Sequence, residues 1–130
     1  MSRQKLVKLS YGKKNKIRNY KFGIVAEKIV ILWLRLQCYE ILAHRYQGYF
    51  GEIDIIAKRF KNLAFIEVKA RNNIEDIEDI LTNHQIRRIK KSAESFVLLN
   101  PRLKNLNYRY DLVAVNKYFR IRYFKNFFDW

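Results

Sequence analysis

Two short apolar-rich segments joined by a brief polar link constrain this chain more than any other feature. The segments Glu52–Lys58 and Leu63–Arg71 are rich in Ile, Val and Phe, and only Arg59–Asn62 separates them. Short runs of such residues predict strands. A link of this length can join antiparallel neighbours but cannot make the crossover that parallel strands need. A β-hairpin is therefore predicted at the centre of the fold.

Helices are predicted on both sides of this hairpin. Apolar residues recur at steps of three and four over Tyr20–Gln37, which predicts a helix with one apolar face. A second helix is predicted to begin after a cap at Thr82 or Asn83 and to end at about Leu99, before Pro101. The remaining predictions are strands at Tyr39–Tyr46, Tyr108–Val115 and Tyr118–Phe124 and a short helical turn or packed loop at Ile74–Leu81. The predicted order is αβββαββ, an α/β fold in which residues 20–130 form a single domain.

The charge of the chain is large and unevenly distributed. Its 27 Lys and Arg residues and 12 Asp and Glu residues give a net charge of +15. Residues 1–22 include eight basic residues and no acid, and nine of the twelve acids lie between residues 23 and 80. We interpret residues 1–19 as a basic flexible arm. Basic flanks favour binding to a polyanion such as nucleic acid, although a genome-wide bias toward Lys would raise the charge without any such function.

Membrane and disulfide chemistry are disfavoured by the same sequence. The longest apolar stretch, Ile29–Leu34, is far shorter than the roughly 20 residues of a membrane helix. No basic amphipathic helix with an exposed aromatic face is evident, so an anionic membrane surface is a weaker partner than nucleic acid. A single cysteine, Cys38, excludes an internal disulfide. We therefore expect a cytoplasmic protein that does not associate with membranes.

The acids of the central hairpin are the candidate chemistry. Because side chains alternate along a strand, Glu67 and Lys69 are predicted to share one face, with Ile66 and Val68 on the other. Asp54 on the neighbouring strand is predicted to lie close to Glu67. Buried carboxylates need compensation, which either Lys69 and Arg71 or a divalent cation can provide. Spacing alone leaves an ordinary cross-strand salt bridge and a Mg²⁺ or Mn²⁺ site as open alternatives.

The arrangement resembles a known nuclease group. The strings G-E-I-D-I-I at Gly51–Ile56 and F-I-E-V-K-A-R at Phe65–Arg71 resemble the PD-(D/E)XK nuclease superfamily. More closely, the chain is similar to the bacterial YraN-like family of predicted endonucleases, which resemble Holliday-junction resolvases. The resemblance extends from about Phe22 to Val115 and includes the acidic start of the first helix at Glu27.

That resemblance implies a restriction-endonuclease-like αβββαβ core, with a mixed sheet flanked by helices. It implies that Asp54 and Glu67 bind a Mg²⁺ or Mn²⁺ ion with the Val68 carbonyl, that Lys69 is the catalytic lysine, and that Glu27 supports the metal site. Gln85 lies where related nucleases often have a polar residue near the site, and Gln85 and Arg71 are expected to contact nucleic acid. The family's glycine-containing loop after the E-V-K strand is replaced here by the acidic run Ile74–Ile80.

The sequence also bears on the roles of several other residues. A basic face of the second helix is interpreted as a phosphate-binding surface, with a merely solvated face as the alternative; it comprises Arg87, Arg88, Lys90 and Lys91. His44 and His84 have no catalytic or zinc motif. Asp111 is interpreted as the partner of a structural ion pair with Arg109. The apolar C-terminal residues Phe127, Phe128 and Trp130 are expected to pack on the domain or on a second subunit.

The expected function is metal-dependent hydrolysis of DNA phosphodiester bonds, with branched or junction DNA in repair or recombination as the substrate class. A junction resolvase would act as a homodimer, because two symmetric cuts need two sites. The alternative is a non-catalytic, basic nucleic-acid-binding protein with the same surface and a dormant site.

Overall fold

The computed structural model describes residues 3–71 and 81–128, with the side chains of residues 3–15 and Ile17 excluded. Within these residues the order of helices and strands is the predicted one, with an added 3₁₀ turn at Pro101–Leu103. The elements are α1 (Arg3–Leu36), β1 (Glu40–Gly48), β2 (Gly51–Arg59), β3 (Asn62–Ala70), α2 (Asn83–Leu99), β4 (Asn107–Val115) and β5 (Ile121–Phe124). The turn or loop predicted at Ile74–Leu81 falls, apart from Leu81, outside the described residues.

The strands form one mixed sheet in the order β1-β2-β3-β4-β5. The pairs β1–β2, β2–β3 and β4–β5 are antiparallel, which confirms the predicted hairpin. The pair β3–β4 is parallel, and α2 lies in the connection between these two strands. The fold is therefore α/β, a five-stranded mixed sheet with two helices that is consistent with a restriction-endonuclease-like core.

Each face of the sheet is covered by one helix. Ala26, Val30 and Leu34 of α1 pack with Ile66 and other residues on one face. On the other face, Ile89, Ala93 and Phe96 of α2 belong to a second buried cluster. A sheet buried on both faces explains why the middle of each strand is a continuous apolar run, Ile55–Ala57 in β2 and Leu63–Ile66 in β3, rather than an alternation with polar residues. It also makes any charged residue on these strands an exception that needs explaining.

The first helix is longer than predicted. It begins at Arg3 rather than near Tyr20, so residues 3–19, which we expected to form a flexible arm, are helical. The apolar periodicity predicted only the part of α1 from Tyr20 onward, where Ala26, Val30 and Leu34 pack on the sheet. At its other end α1 closes with a Schellman motif: Cys38 has a left-handed φ of 66°, and the Tyr39 N–H donates to the Leu34 carbonyl at 3.0 Å.

The second helix has the predicted limits. Thr82 is its N-cap and forms a capping box with Gln85, and the helix ends at Leu99, two residues before Pro101. Among the predicted C-terminal contacts, Phe128 is buried and stacks on Tyr110 with ring centroids 5.0 Å apart, so this residue packs on the domain itself. Trp130 lies outside the described residues. No helix in the described part of the chain is both long and apolar enough to span a membrane.

Candidate active site

The candidate site lies where the ladder between β2 and β3 ends. The last paired residues are Ile55 and Ile66, whereas β3 stays paired with β4 as far as Ala70. Beyond that point the Asp54 side chain replaces the β2 backbone as the partner of β3. The Val68 N–H donates to Asp54 Oδ2 at 2.8 Å, which holds the carboxylate in the opening between the strands. A backbone donor that would be orphaned by the diverging strands is thereby satisfied.

The predicted faces of β3 are confirmed. Ile66 and Val68 belong to the apolar cluster under α1, and Leu63 and Phe65 belong to the cluster under α2. By alternation, Glu67 and Lys69 project on the α2 side. Lys69 Nζ lies 3.5 Å from Glu67 Oε1, and the two side chains are only 15% and 16% exposed.

The two carboxylates are destabilised as anions. Burial, followed by the charge of Asp54, raises the pKa of Glu67 to about 8, and Lys69 only partly opposes this. Burial also raises the pKa of Asp54; the Val68 N–H opposes that shift and the charge of Glu27 adds to it. Lys69 is therefore one cation facing two buried acids. The structure brings Asp54, Glu67 and Lys69 together, with a single lysine beside two carboxyl groups whose ionisation burial disfavours.

Glu27 lies beside this pair and is held by two residues of β1. Its Oε2 accepts from Arg45 Nε at 2.9 Å and lies 3.0 Å from His44 Nε2. Arg45 has a left-handed φ of 52°, and the β1–β2 register shifts between Ile41 and Ala43. Such irregularities redirect side chains at the edge of a sheet. Sequence reasoning missed both Arg45 and His44, because no motif or periodicity reports a local break in a strand.

Asp54 and Glu67 are two carboxylate donors of the kind that a hard divalent cation prefers. In the described residues, no group of three or more His, Cys, Asp or Glu side chains is arranged to hold a metal ion. Asp54 and Glu67 form a close pair whose mutual repulsion a cation would relieve. Mg²⁺ commonly binds one or two carboxylates and keeps several waters, so the pair suffices. Glu27, engaged by His44 and Arg45, is placed to act on the site through its charge.

A basic groove of about 820 Å³ adjoins Lys69 beyond the end of β3. Of the predicted nucleic-acid-binding residues, Arg71 lines this groove. Arg18 and Lys117 line it as well and were not identified from the sequence. Arg18 fell in the predicted flexible arm, and only the early start of α1 gives it a fixed place beside β3.

The basic residues predicted on the second helix separate into two groups. Arg87, Arg88 and Lys91 line a smaller hollow of about 270 Å³, together with Phe50 and His84. Lys90 is half-buried and is not among the residues lining that hollow. Gln85 is occupied by the capping box: its Oε1 accepts from the Thr82 N–H at 3.0 Å. The structure therefore gives Gln85 a helix-capping role.

Asp111 on β4 is the centre of a separate hydrogen-bonded network. It is fully buried, and Arg109 Nε donates to both of its carboxylate oxygens at 2.9 Å. The Tyr123 hydroxyl and the Asn126 N–H also donate to it. Arg109 in turn donates to the Tyr39 hydroxyl at 2.8 Å. The predicted structural ion pair is confirmed and is part of a larger network.

Comparisons with known proteins identify relatives that are similar in sequence over most of this chain. The model of a family described as "Uncharacterised protein family UPF0102" matches residues 26–115. The match begins at Ala26 in α1 and ends at Val115, the last residue of β4. A UPF0102 protein of Nitrobacter winogradskyi is 36% identical over 93 residues, which cover 72% of this chain and 79% of the relative. One from Rhodopseudomonas palustris strain BisB5 is 38% identical over 100 residues, 77% of this chain and 76% of the relative. Another from Ehrlichia chaffeensis is 42% identical over 101 residues, 73% of this chain and 81% of the relative.

Proposed function

From the premise that the chain belongs to the uncharacterised protein family UPF0102, we propose that it is a metal-dependent endonuclease that hydrolyses DNA phosphodiester bonds. The proposal includes the finer assignment to YraN-like, PD-(D/E)XK-type nucleases. The observation that carries it is the cluster of Asp54, Glu67 and Lys69 in the opening between β2 and β3.

The energetic cost of this cluster supports a functional role. Two buried carboxylates with raised pKa values and a single lysine partner are a poor solution to folding alone. Perturbed acids of this kind are enriched at functional sites. An apolar pair at positions 54 and 67 would fill the sheet without repulsion. The acids are understandable if their role is to bind a cation during the reaction.

The chain's own residues supply binding and orientation. Asp54 and Glu67 would hold a Mg²⁺ or Mn²⁺ ion, with the Val68 carbonyl as an added ligand, and Val68 N–H fixes the direction of the Asp54 carboxylate. A divalent ion bound there supplies polarisation of the phosphate and a lowered pKa for water. Lys69, held near Glu67, is placed to orient the attacking water or to stabilise the charge that develops on the phosphate.

The basic groove supplies a path for the DNA backbone. Arg18, Arg71 and Lys117 line it together with Lys69, so phosphates bound there would reach the carboxylate cluster. Backbone contacts by Lys and Arg give affinity without sequence specificity. This suits a nuclease that recognises a DNA structure, such as a branch or junction, rather than a sequence.

The experiment is cleavage of branched, linear and single-stranded DNA with Mg²⁺ or Mn²⁺. Asp54→Asn and Lys69→Met should each lower the rate by at least about 10²–10³-fold, the size typical of losing one electrostatic stabiliser. Glu52→Gln is the matched control, because Glu52 lies on the same strand two residues away and is exposed. If Asp54→Asn cleaves as fast as the wild type, the assignment is wrong. Salt-sensitive DNA binding without any cleavage would instead favour the non-catalytic binding protein.

A further inference from the structure

A second basic feature lies between the β1–β2 turn and α2. Gly48 and Gly51 are the last paired residues of β1 and β2, and Tyr49 and Phe50 form the tip of the turn between them. Phe50 forms a small hollow with His84, Arg87, Arg88 and Lys91 of α2. Tyr49 contacts Phe50 edge to face at 5.1 Å and is 94% exposed. Aromatic rings and cations thus meet on one surface.

The hollow is held in place by buried contacts rather than by the turn alone. Ser92 is fully buried, and its hydroxyl donates to the Gly51 carbonyl at 3.1 Å. Gly51 has a φ of 147°, and the stem of Arg88 lies where a Cβ at this position would project, at 3.2 Å. The positive φ favours glycine at this position, and a Cβ there would press on the Arg88 side chain. The turn therefore has a fixed position against α2.

In the part of the chain that the structure describes, the hollow combines cations with an aromatic ring rather than with an acid. Across residues 3–71 and 81–128, no carboxylate forms an ion pair with Arg87, Arg88 or Lys91. Lys91 Nζ lies 5.5 Å from the centre of the Phe50 ring, which is a cation–π contact. The hollow has a volume of about 270 Å³. Sites that enclose drug-sized ligands have volumes of roughly 300–1,000 Å³. The hollow therefore suits a group no larger than one nucleotide.

The position of the hollow relates it to the candidate active site. It lies on the α2 side of the sheet, the side to which Glu67 and Lys69 project. Gly51 and Asp54 are three residues apart on β2, which at roughly 3.3 Å per residue is about 10 Å. At about 3.4 Å per stacked nucleotide of one strand, this corresponds to roughly three nucleotides.

We propose that the hollow binds an unpaired nucleotide, with its base stacked on Tyr49 or Phe50 and its phosphates contacted by Arg87, Arg88 and Lys91. The inference rests on the proposed function, which it deepens. It makes the substrate class DNA with an unpaired base about three nucleotides from the phosphodiester at the carboxylate cluster. Aromatic stacking does not require a particular base, because every base has a π-face.

The test measures binding without divalent metal, so that it does not depend on cleavage. The probe is a DNA duplex with one unpaired 2-aminopurine, and its control is the fully paired duplex of the same sequence. Wild-type protein should quench the unpaired fluorophore and bind this duplex more tightly than the paired one. Tyr49→Ala/Phe50→Ala should weaken binding of the unpaired probe by about tenfold, the effect of losing a stacking contact, and leave the paired duplex unchanged.

Two further variants make the test specific. Phe60→Ala/Lys61→Ala is the matched control, since it removes an exposed aromatic ring and a cation from the turn at the other end of β2. It should not change the preference for the unpaired base. Tyr49→Ala alone keeps the test valid if the double variant does not fold, because this side chain is almost fully exposed.

The outcomes separate this inference from the proposed function. Equal losses on the paired and unpaired probes, or no loss on either, would overturn the inference even if the protein cleaves DNA with Mn²⁺. Selective loss on the unpaired probe supports it, and would do so even if no cleavage is found and the nuclease proposal fails.

Discussion

Buried acids lie at two places in one sheet, and their surroundings differ. Asp111 on β4 accepts hydrogen bonds from Arg109, Tyr123 and Asn126. Asp54 on β2 accepts one from the Val68 N–H and lies against a second acid, Glu67. The first carboxylate is compensated by the fold itself. The second pair is left with raised pKa values and one lysine.

This difference separates a structural acid from a candidate catalytic one. Burial alone would lower the pKa of Arg109, but its bond to Tyr39 and the charge of Asp111 raise it. Burial and the charge of Asp111 raise the pKa of Tyr123, so its hydroxyl keeps its proton and remains a donor. Every charge in this cluster has a partner of opposite character. The cluster around Asp54 has fewer cations than acids. Such incompletely compensated acids are typical of functional sites.

The largest expected effect is a loss of stability when Asp111, the compensated acid, is replaced. Asp111→Asn removes the negative charge between Arg109 and Tyr123 and leaves the Arg109 guanidinium largely buried without a counter-ion. Breaking a buried pair in this way costs about 3–5 kcal/mol of unfolding free energy. Urea unfolding monitored by circular dichroism measures it, with Glu52→Gln as the control for a surface acid. A loss below about 1 kcal/mol would mean that Asp111 is not the structural acid described here.

The second prediction concerns metal binding. Mn²⁺ at about 100 times its Kd should stabilise the wild type by about 2.7 kcal/mol, because it binds the folded state alone. Asp54→Asn should abolish this gain, and Glu52→Gln should retain it. Thermal unfolding with and without Mn²⁺ gives both values. Equal stabilisation of the wild type and Asp54→Asn would place the metal elsewhere.

The third prediction is a pH dependence of the metal-free protein. Glu67 has a pKa of about 8 when folded, against an ordinary value of 4.5. Between these values the folded state keeps a proton that the unfolded state has lost, so raising the pH favours unfolding. The stability should therefore fall from about pH 5 to pH 8, by at most about 1.4 kcal/mol per pH unit for one proton.

Glu67→Gln provides the reference for this measurement, since its side chain cannot ionise. The difference in unfolding free energy between wild type and Glu67→Gln should change in this pH interval, whereas contributions shared by both proteins cancel. Mn²⁺ should stabilise the wild type more at pH 8 than at pH 6, because it competes with the proton. A difference that does not vary with pH would contradict the raised pKa.

The smallest expected effect is a gain. Asp54→Asn keeps an oxygen to accept from the Val68 N–H and removes the repulsion from Glu67 and Glu27. We expect it to stabilise the metal-free protein by about 1 kcal/mol, as is common when a strained functional site is relieved. The same substitution is the one that should abolish cleavage. Urea unfolding in the presence of EDTA measures the gain, and a clear destabilisation would show that Asp54 is needed for folding.

Much of the sheet was predictable because its signals are local. Alternation placed Glu67 and Lys69 on one face, and the short link at Arg59–Asn62 predicted the antiparallel pair. Thr82 was identified as a candidate cap because its side chain and Pro101 mark the two ends of α2. These properties depend on residues that are close in sequence.

What could not be predicted depends on distant or irregular contacts. Arg109 donates to Tyr39, 70 residues away, and no periodicity reports such a partner. Arg45 reaches Glu27 only because β1 contains a left-handed residue and a register shift. Arg18 was assigned to a flexible arm since the first turns of α1 lack the apolar stripe that marks a covered helix. The roles of the candidate site residues remain predictions for the experiments above.

The parallel pairing of β3 with β4 also has a consequence for how the chain folds. β1, β2 and β3 can associate through short turns, whereas the β3–β4 ladder joins residues 45 positions apart, such as Asn62 and Asn107. Until that ladder closes, β3, with its apolar run Leu63–Ile66, is an open edge strand. Such edges promote self-association. Refolding yield should therefore fall as protein concentration rises.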